Sequence, residues 1–165
     1  LEAGSALSGN DNTDADPEVL VAIGDLSTSI GAADITEVEM VTTTADKSEG
    51  FTISVRVRYN EPVDVVTTGG TPTLAVTNSN AGSGSGRGPH SLSYASGTGT
   101  NELIFSLAIA AANAATNADD VLSVGAQTIA LNSGTIKDAS GTASDAALVI
   151  SGAVGTAAGS VTVTA

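Results

Sequence analysis

Apolar and polar residues alternate along much of this chain, and the alternation is clearest at residues 51–59. The odd-numbered positions of that segment are apolar or aromatic: Phe51, Ile53, Val55, Val57 and Tyr59. The even-numbered positions are polar: Thr52, Ser54, Arg56 and Arg58. A period of two is typical of a strand that buries one face. The pattern therefore predicts Val55 in a core and Arg56 on the surface.

Shorter runs with the same period follow along the chain. They are Leu103–Ile109, Leu74/Val76, Leu92/Tyr94, Ile129/Leu131, Leu148/Ile150 and Val161/Val163. A first strand is predicted at Ile35–Thr43, with Val38 and Met40 inward and Glu37 and Glu39 outward. Gly, Asn, Asp and Ser separate these runs at short intervals, which predicts eight or nine strands in an all-β antiparallel sandwich. The alanine-rich residues 110–118 are expected to form a loop with at most one helical turn.

The pattern divides the chain into two parts. Residues 1–34 are predicted to be an acidic N-terminal arm or linker, and residues 35–165 to be the β-sandwich. The arm contains one apolar run, Val19–Ile23, which lies outside the predicted sheet. Such a run is expected to bind a partner, by adding a strand to the edge of another subunit's sheet through Val19, Val21 and Ile23. The alternative is that it covers the edge of its own sheet.

Four segments carry sequence motifs in a characteristic order: Asn60–Val63, Gly70–Leu74, Tyr94–Phe105 and Leu131–Asp138. They resemble bacterial immunoglobulin-like (Big-type) repeats of surface proteins and virions. Asn60–Val63 is similar to the Ser-Glu-Pro-Val turn of those repeats, and Gly70–Leu74 to the strand that follows it. Tyr94–Phe105 resembles their hairpin, and Leu131–Asp138 their late Leu-Asn-Gly-Gly-Thr-Ile-Asp segment. The resemblance covers about residues 35–149 and implies an immunoglobulin-like antiparallel sandwich. It also implies a place in bacterial surface adhesins or in phage capsid and tail decorations.

The turn residues in these segments have structural roles. Pro62 cannot donate to a strand ladder, so Glu61–Val63 is expected to end a strand or mark a sheet edge. Gly97 and Gly99 are expected to supply the positive φ angles of a tight hairpin, and Gly134 those of a later turn.

Composition excludes several classes of function. The formal net charge is −13, and an acidic surface repels nucleic-acid backbones. Cysteine is absent, which excludes disulfides and thiol chemistry. No apolar run is long enough to span a membrane as a helix. The chain opens with neither an initiator Met nor a secretory signal, so it is expected to be processed or to start inside a longer product.

The sequence contains no constellation typical of catalysis. His90 is the only histidine, and it follows Gly88 and Pro89 in a loop rich in Gly and Ser, so we expect it to be exposed to solvent. Nucleophilic catalysis needs a base held rigidly beside its nucleophile. The chain also lacks a Gly-x-Ser-x-Gly elbow and a phosphate-binding glycine motif. It is therefore predicted not to be an enzyme, and to have no cofactor.

Hard oxygen ligands are the only metal chemistry that the residue types allow, and calcium is the candidate ion. Asp11, Asp14 and Asp16 alternate with other oxygen-bearing side chains, as at the start of an EF-hand loop. The glycine and the final glutamate of such a loop are replaced by Ala15 and Val21, so a solvated acidic segment is the alternative. Asp119 and Asp120 form a second weak candidate.

These observations favour a non-catalytic structural protein. The expected function is decoration or cementing of a phage capsid or tail, with the arm as anchor. The alternative is an adhesion module of a larger bacterial cell-surface protein. The expected partners are other structural subunits of a virion or surface lattice, in a homo-oligomeric or multi-copy arrangement. The expected location is the virion surface or the cell surface.

Overall fold

A computed structural model describes residues 31–80, 88–111, 113, 115–139 and 143–165. These residues form short β-strands joined by turns, with one helix of six residues. The elements are β1 (Ile35–Met40), β2 (Ala45–Asp46), β3 (Phe51–Val66), β4 (Thr73–Asn80), β5 (His90–Ser96), β6 (Thr100–Ile109), β7 (Asp120–Ser123), β8 (Gln127–Thr128), β9 (Thr135–Asp138), β10 (Val149–Ile150), α1 (Gly152–Ala157) and β11 (Ser160–Thr164). The all-β fold class is confirmed, and the immunoglobulin-like arrangement stays a prediction.

One main sheet contains most of the strands, in the order β1-β3-β6-β5-β4-β7-β11-β2. Neighbours in this order are antiparallel except β11 and β2, which are parallel. β2, at one end of the order, also contacts β3, near the other end, so the sheet curls back on itself. β8 and β10 form a separate two-stranded ladder.

β3 is the longest strand and organises the sheet. Its first half pairs with β1 on one side and with β6 on the other. Its last four residues pair with β9, after a register shift between Arg58 and Val63. Of the two expectations for Glu61–Val63, the one that it ends a strand is therefore wrong. Pro62 lies between Arg58 and Val63, where β3 has no register partner in β6 or β9, so its missing N–H breaks no ladder hydrogen bond. Its carbonyl oxygen accepts a hydrogen bond from Ala139 N at 3.0 Å.

The predicted inward and outward faces of β3 are confirmed. Val55 is fully buried and stands between Met40 of β1 and Phe105 of β6 in the cross-strand register. Arg56 and Arg58 lie on the opposite, partly exposed face. β1 follows the same alternation, with Val38 and Met40 buried beneath it. With few aromatic residues available, aliphatic side chains fill this core.

The hairpin between β5 and β6 has the predicted glycine geometry, with φ of +117° at Gly97 and +76° at Gly99. The turn before β9 differs from the expectation. There the positive φ angles belong to Asn132 and Ser133, and Gly134 is not among the positive-φ residues. Gly134 is needed for close packing instead, because a Cβ would lie 2.3 Å from the carbonyl oxygen of Gly70.

The C-terminal residues form part of the sheet. α1 begins after Ser151, whose hydroxyl accepts a hydrogen bond from Val154 N at 3.3 Å. Gly159, with φ of +83°, turns the chain into β11, which lies between β7 and β2. The described part of residues 110–118 is irregular or in turns.

Candidate functional site

Residues 1–30 lie outside the described residues. They include the predicted partner-binding residues Val19, Val21 and Ile23 and the predicted calcium ligands Asp11, Asp14 and Asp16. Those assignments stay predictions. Among the residues that the structure describes, no three acidic or histidine side chains are grouped as a metal site requires.

The outer edge of β1 is one of the two ends of the main sheet. β1 is the terminal strand of the order, and β3 occupies only one of its sides. Val41 N donates to Ser54 O of β3 at 2.9 Å, and Met40 N donates in the other direction, to Ala158 O at 2.8 Å. Because backbone groups alternate in direction along an antiparallel strand, the N–H and C=O of Val38 also point away from β3. Val38 is only 2% exposed, however, because α1 packs against β1 there.

Both ends of this edge are covered by the chain itself. At one end Ala33 O accepts a hydrogen bond from Ala147 N at 2.8 Å, and at the other Met40 is bonded to Ala158. Between them lies a groove of about 300 Å³, formed by β1 and α1. Its lining residues are Thr36, Glu37, Val38, Ala153, Val154 and Ala157. We call this groove between β1 and α1 the β1 window.

A charged ladder crosses the exposed face of β1, β3 and β6. Glu37, Arg58 and Glu102 are consecutive cross-strand neighbours, and Arg58 contacts Glu37 at 2.8 Å and Glu102 at 2.5 Å. Arg56 pairs with Glu39 and reaches Glu102 at 3.8 Å. The hydrogen bond from Arg58 lowers the pKa of Glu102. Both arginines are thus neutralised by glutamates of adjacent strands and leave no basic patch on this face.

The expectation that His90 is solvated is wrong. His90 begins β5, and only 5% of its surface is exposed. Its Nε2 lies 3.1 Å from the Thr116 hydroxyl and 3.4 Å from Nδ2 of Asn78. Burial lowers the pKa of His90, and the charge of Asp120 opposes that shift. The ring therefore holds residues 115–117 against β4 and β5.

Asp119 and Asp120, the second weak candidate for calcium binding, lie in different environments in the structure. Asp120 is fully buried, and its carboxylate accepts a hydrogen bond from Asn117 N at 2.7 Å. Asp119 adopts a φ of +66° in the preceding turn. The Asp120 carboxylate thus stabilises the end of the 115–119 loop, which is a structural role.

Glu61 is one of three buried acids in the described part of the chain, with Asp120 and Asp138. It is 8% exposed, and its Oε1 has no hydrogen-bond partner among the described residues. Burial raises the pKa of Glu61, and the carboxylates of Asp138 and Asp34 raise it further. The sequence pattern gave no sign of this group, because Asp138 reaches Glu61 only through the β3–β9 pairing.

No helix in the described part of the chain is long and apolar enough to cross a membrane. No family model, curated protein or solved structure matches this chain.

Proposed function

We propose that this protein is a non-catalytic structural module displayed on a larger assembly, as a decoration or cement-type subunit of a phage capsid or tail. Its N-terminal arm serves as the anchor, and the curled sheet faces solvent. The proposal places the protein in many copies on a virion lattice.

The proposal rests mainly on the structural roles of the polar side chains in the sheet. His90 is buried and lies within hydrogen-bond distance of Thr116 in the adjacent loop, and the charge of Arg58 is balanced by Glu37 and Glu102. Histidine and arginine often take part in catalysis in enzymes, but here these side chains stabilise the fold. The acidic surface favours solubility over binding of phosphate backbones. A stable frame with an apolar segment on an acidic arm suits attachment better than turnover.

The second candidate is an adhesion module of a larger bacterial surface protein. The four segments that resemble immunoglobulin-like repeats of surface adhesins favour it. This alternative needs no anchoring role for Val19–Ile23, because neighbouring domains would hold the module in place.

Immunogold electron microscopy separates the two candidates. Antibodies raised against the whole protein are applied to purified virus particles and to intact cells from the same culture. We expect regularly spaced label on capsids or tails. Label confined to cell surfaces would favour the adhesion module, and label found only inside cells would overturn both.

The anchoring role is tested with two full-length variants that carry the same substitution. Val21→Asp alters the arm, whereas Val66→Asp alters a half-exposed valine at the far end of β3. We expect tagged Val66→Asp to be incorporated into particles like the wild type, and Val21→Asp to be excluded. Equal incorporation of both variants would remove the arm from the proposal.

A further inference from the structure

Three acidic side chains from different parts of the fold converge beside β3. Glu61 lies in β3, Asp138 ends β9, and Asp34 directly precedes β1. Glu61 and Asp138 are both more than nine-tenths buried, whereas Asp34 is exposed. The group thus has an enclosed inner pair of carboxylates and a third carboxylate at the surface.

The register of β3 and β9 brings the two buried carboxylates to the same face. Val63 is the cross-strand partner of Asp138, and Glu61 precedes Val63 by two residues on the buried face of β3. Cross-strand partners share a face of the sheet, and the residue two positions along is a diagonal neighbour within reach of a long side chain. Glu61 therefore points toward Asp138. Its pKa agrees with this geometry, because burial raises it and the charge of Asp138 raises it further.

Asp34 is held beside this pair by its backbone. Its N–H donates to Oδ1 of Asn60 at 2.7 Å, and its carbonyl oxygen accepts a hydrogen bond from Asn60 N at 3.0 Å. The two bonds fix Asp34 next to the residue that precedes Glu61, and its charge also raises the pKa of Glu61. A third carboxylate is therefore held near the solvent side of the pair.

The charge of Glu61 has no counter-ion among the described residues. Its Oε1 is buried without a hydrogen-bond partner, and none of the ion pairs in the described part of the chain includes it. A buried carboxylate of this kind is costly unless a proton or a cation neutralises it. A proton neutralises one carboxyl group, whereas a single divalent cation offsets the charges of both Glu61 and Asp138.

We propose that Glu61 and Asp138, with Asp34 at the surface, form a binding site for one calcium ion. The described acids are not grouped closely enough for a metal site made of side chains alone. Calcium suits such a place, because it completes its shell of roughly six to eight oxygen ligands with backbone carbonyls and water. The inference goes beyond the proposed function and does not depend on it.

Calcium titration of two full-length variants with the same net charge tests the proposal. Glu61→Gln removes an inner carboxylate, whereas Asp64→Asn removes an outward-facing carboxylate of the same strand. Each loses one negative charge, so general screening of this acidic protein by salt affects both equally. Thermal melting is followed in a chelator and in rising CaCl₂, and isothermal titration calorimetry measures the affinity and the number of ions bound.

We expect the wild type and Asp64→Asn to melt at higher temperatures as CaCl₂ rises, because the ion binds the folded chain and not the unfolded one. Glu61→Gln should lose most of this shift and bind calcium at least about tenfold more weakly. Asp34→Asn should show a smaller loss. In the chelator Glu61→Gln should be at least as stable as the wild type, which separates loss of the ion from loss of the fold.

Equal calcium shifts in Glu61→Gln and Asp64→Asn would overturn the inference, because any bound ion would then lie elsewhere, as at Asp11, Asp14 and Asp16. A wild type that binds no calcium would also overturn it, and would leave Glu61 neutralised by a proton. Neither result bears on display of the protein on a virion, which the microscopy and incorporation experiments test separately.

Discussion

The hydroxyl of Tyr59 donates a hydrogen bond to the carbonyl oxygen of Ala147 at 3.0 Å. The bond joins the middle of β3 to the segment that covers the outer edge of β1 at Ala33. Tyr59 is fully buried, and burial raises the pKa of its hydroxyl. The side chain therefore acts as a neutral donor that fixes residues 146–148 against the sheet.

Tyr59→Phe is expected to lower the free energy of unfolding by about 1 to 2 kcal/mol, because it leaves the carbonyl of Ala147 without its donor. Tyr94→Phe is the control. The Tyr94 hydroxyl accepts a hydrogen bond from Thr98 N, which water can replace at an exposed turn. Urea unfolding measures both variants. Equal losses would mean that the buried hydroxyl contributes no more than the exposed one.

Val55→Asp should unfold the protein or cost more than about 4 kcal/mol, because it buries an unpaired carboxylate among aliphatic side chains. Thr52→Asp lies on the exposed face of the same strand and should cost less than about 1 kcal/mol. Circular dichroism and thermal melting compare the two. Similar damage from both would show that β3 is buried on both faces. Arg56→Asp is a poorer control, because its carboxylate would lie beside Glu39 and Glu102.

His90 should titrate below its ordinary pKa of 6.5. Since the unfolded chain then binds the proton more readily than the folded one, stability should be full above pH 6.5 and should fall as the pH drops through the folded pKa. The protein has one histidine, so its imidazole resonances in a proton NMR titration are unambiguous. His90→Gln should remove this part of the pH dependence. A measured pKa at or above 6.5 would contradict the buried environment.

Glu61→Gln should raise the melting temperature at pH 7. The pKa of Glu61 is above its ordinary 4.5, so the contribution of this group to stability is full below pH 4.5 and is lost as the pH rises through the folded pKa. A neutral amide removes that loss, and the gain should vanish near pH 4. Glu49→Gln, at an exposed position, should change little at either pH. Destabilisation by Glu61→Gln at pH 7 would mean that the carboxylate has a stabilising partner.

Gly97→Ala should be more damaging than Gly99→Ala. Both glycines have positive φ, which costs an alanine about 1 to 2 kcal/mol. At Gly97 a Cβ would also lie 2.0 Å from the carbonyl oxygen of Glu102, whereas at Gly99 the nearest atom is 4.0 Å away. Chemical denaturation of both variants checks the order. A reversed order would mean that the hairpin has another conformation.

The sequence predicts what depends on neighbours along the chain and misses what depends on distant ones. The alternation around Val55 predicts the strand and its buried face, because a strand on a core has a period of two. The burial of His90 depends on Thr116, 26 residues away, so its glycine-rich neighbours indicated a solvated loop instead. The residues of α1 have low intrinsic helix propensity. Gly155 is needed in this helix because a Cβ at that position would lie 2.1 Å from the carbonyl oxygen of Gly125.

The same distinction applies to the candidate site. The apolar run of the arm is visible in the sequence because it is continuous. The β1 window is not, because it combines β1 with a helix more than a hundred residues later. The hydrogen bonds that join Ala147 to Ala33 and Ala158 to Met40 also connect residues that are far apart in the sequence.

The parallel pairing of β11 with β2 has a consequence for how the protein folds. The Thr164 hydroxyl donates to Ala45 O at 3.1 Å across a separation of 119 residues. Closing a loop of that length adds little free energy but slows folding, because contacts so distant in sequence form late. During synthesis β2 has no partner strand until residues 160–164 have been made, and the edge of β7 stays open as well. Nascent chains therefore expose the edges of β2 and β7 until β11 docks, which favours aggregation at that stage.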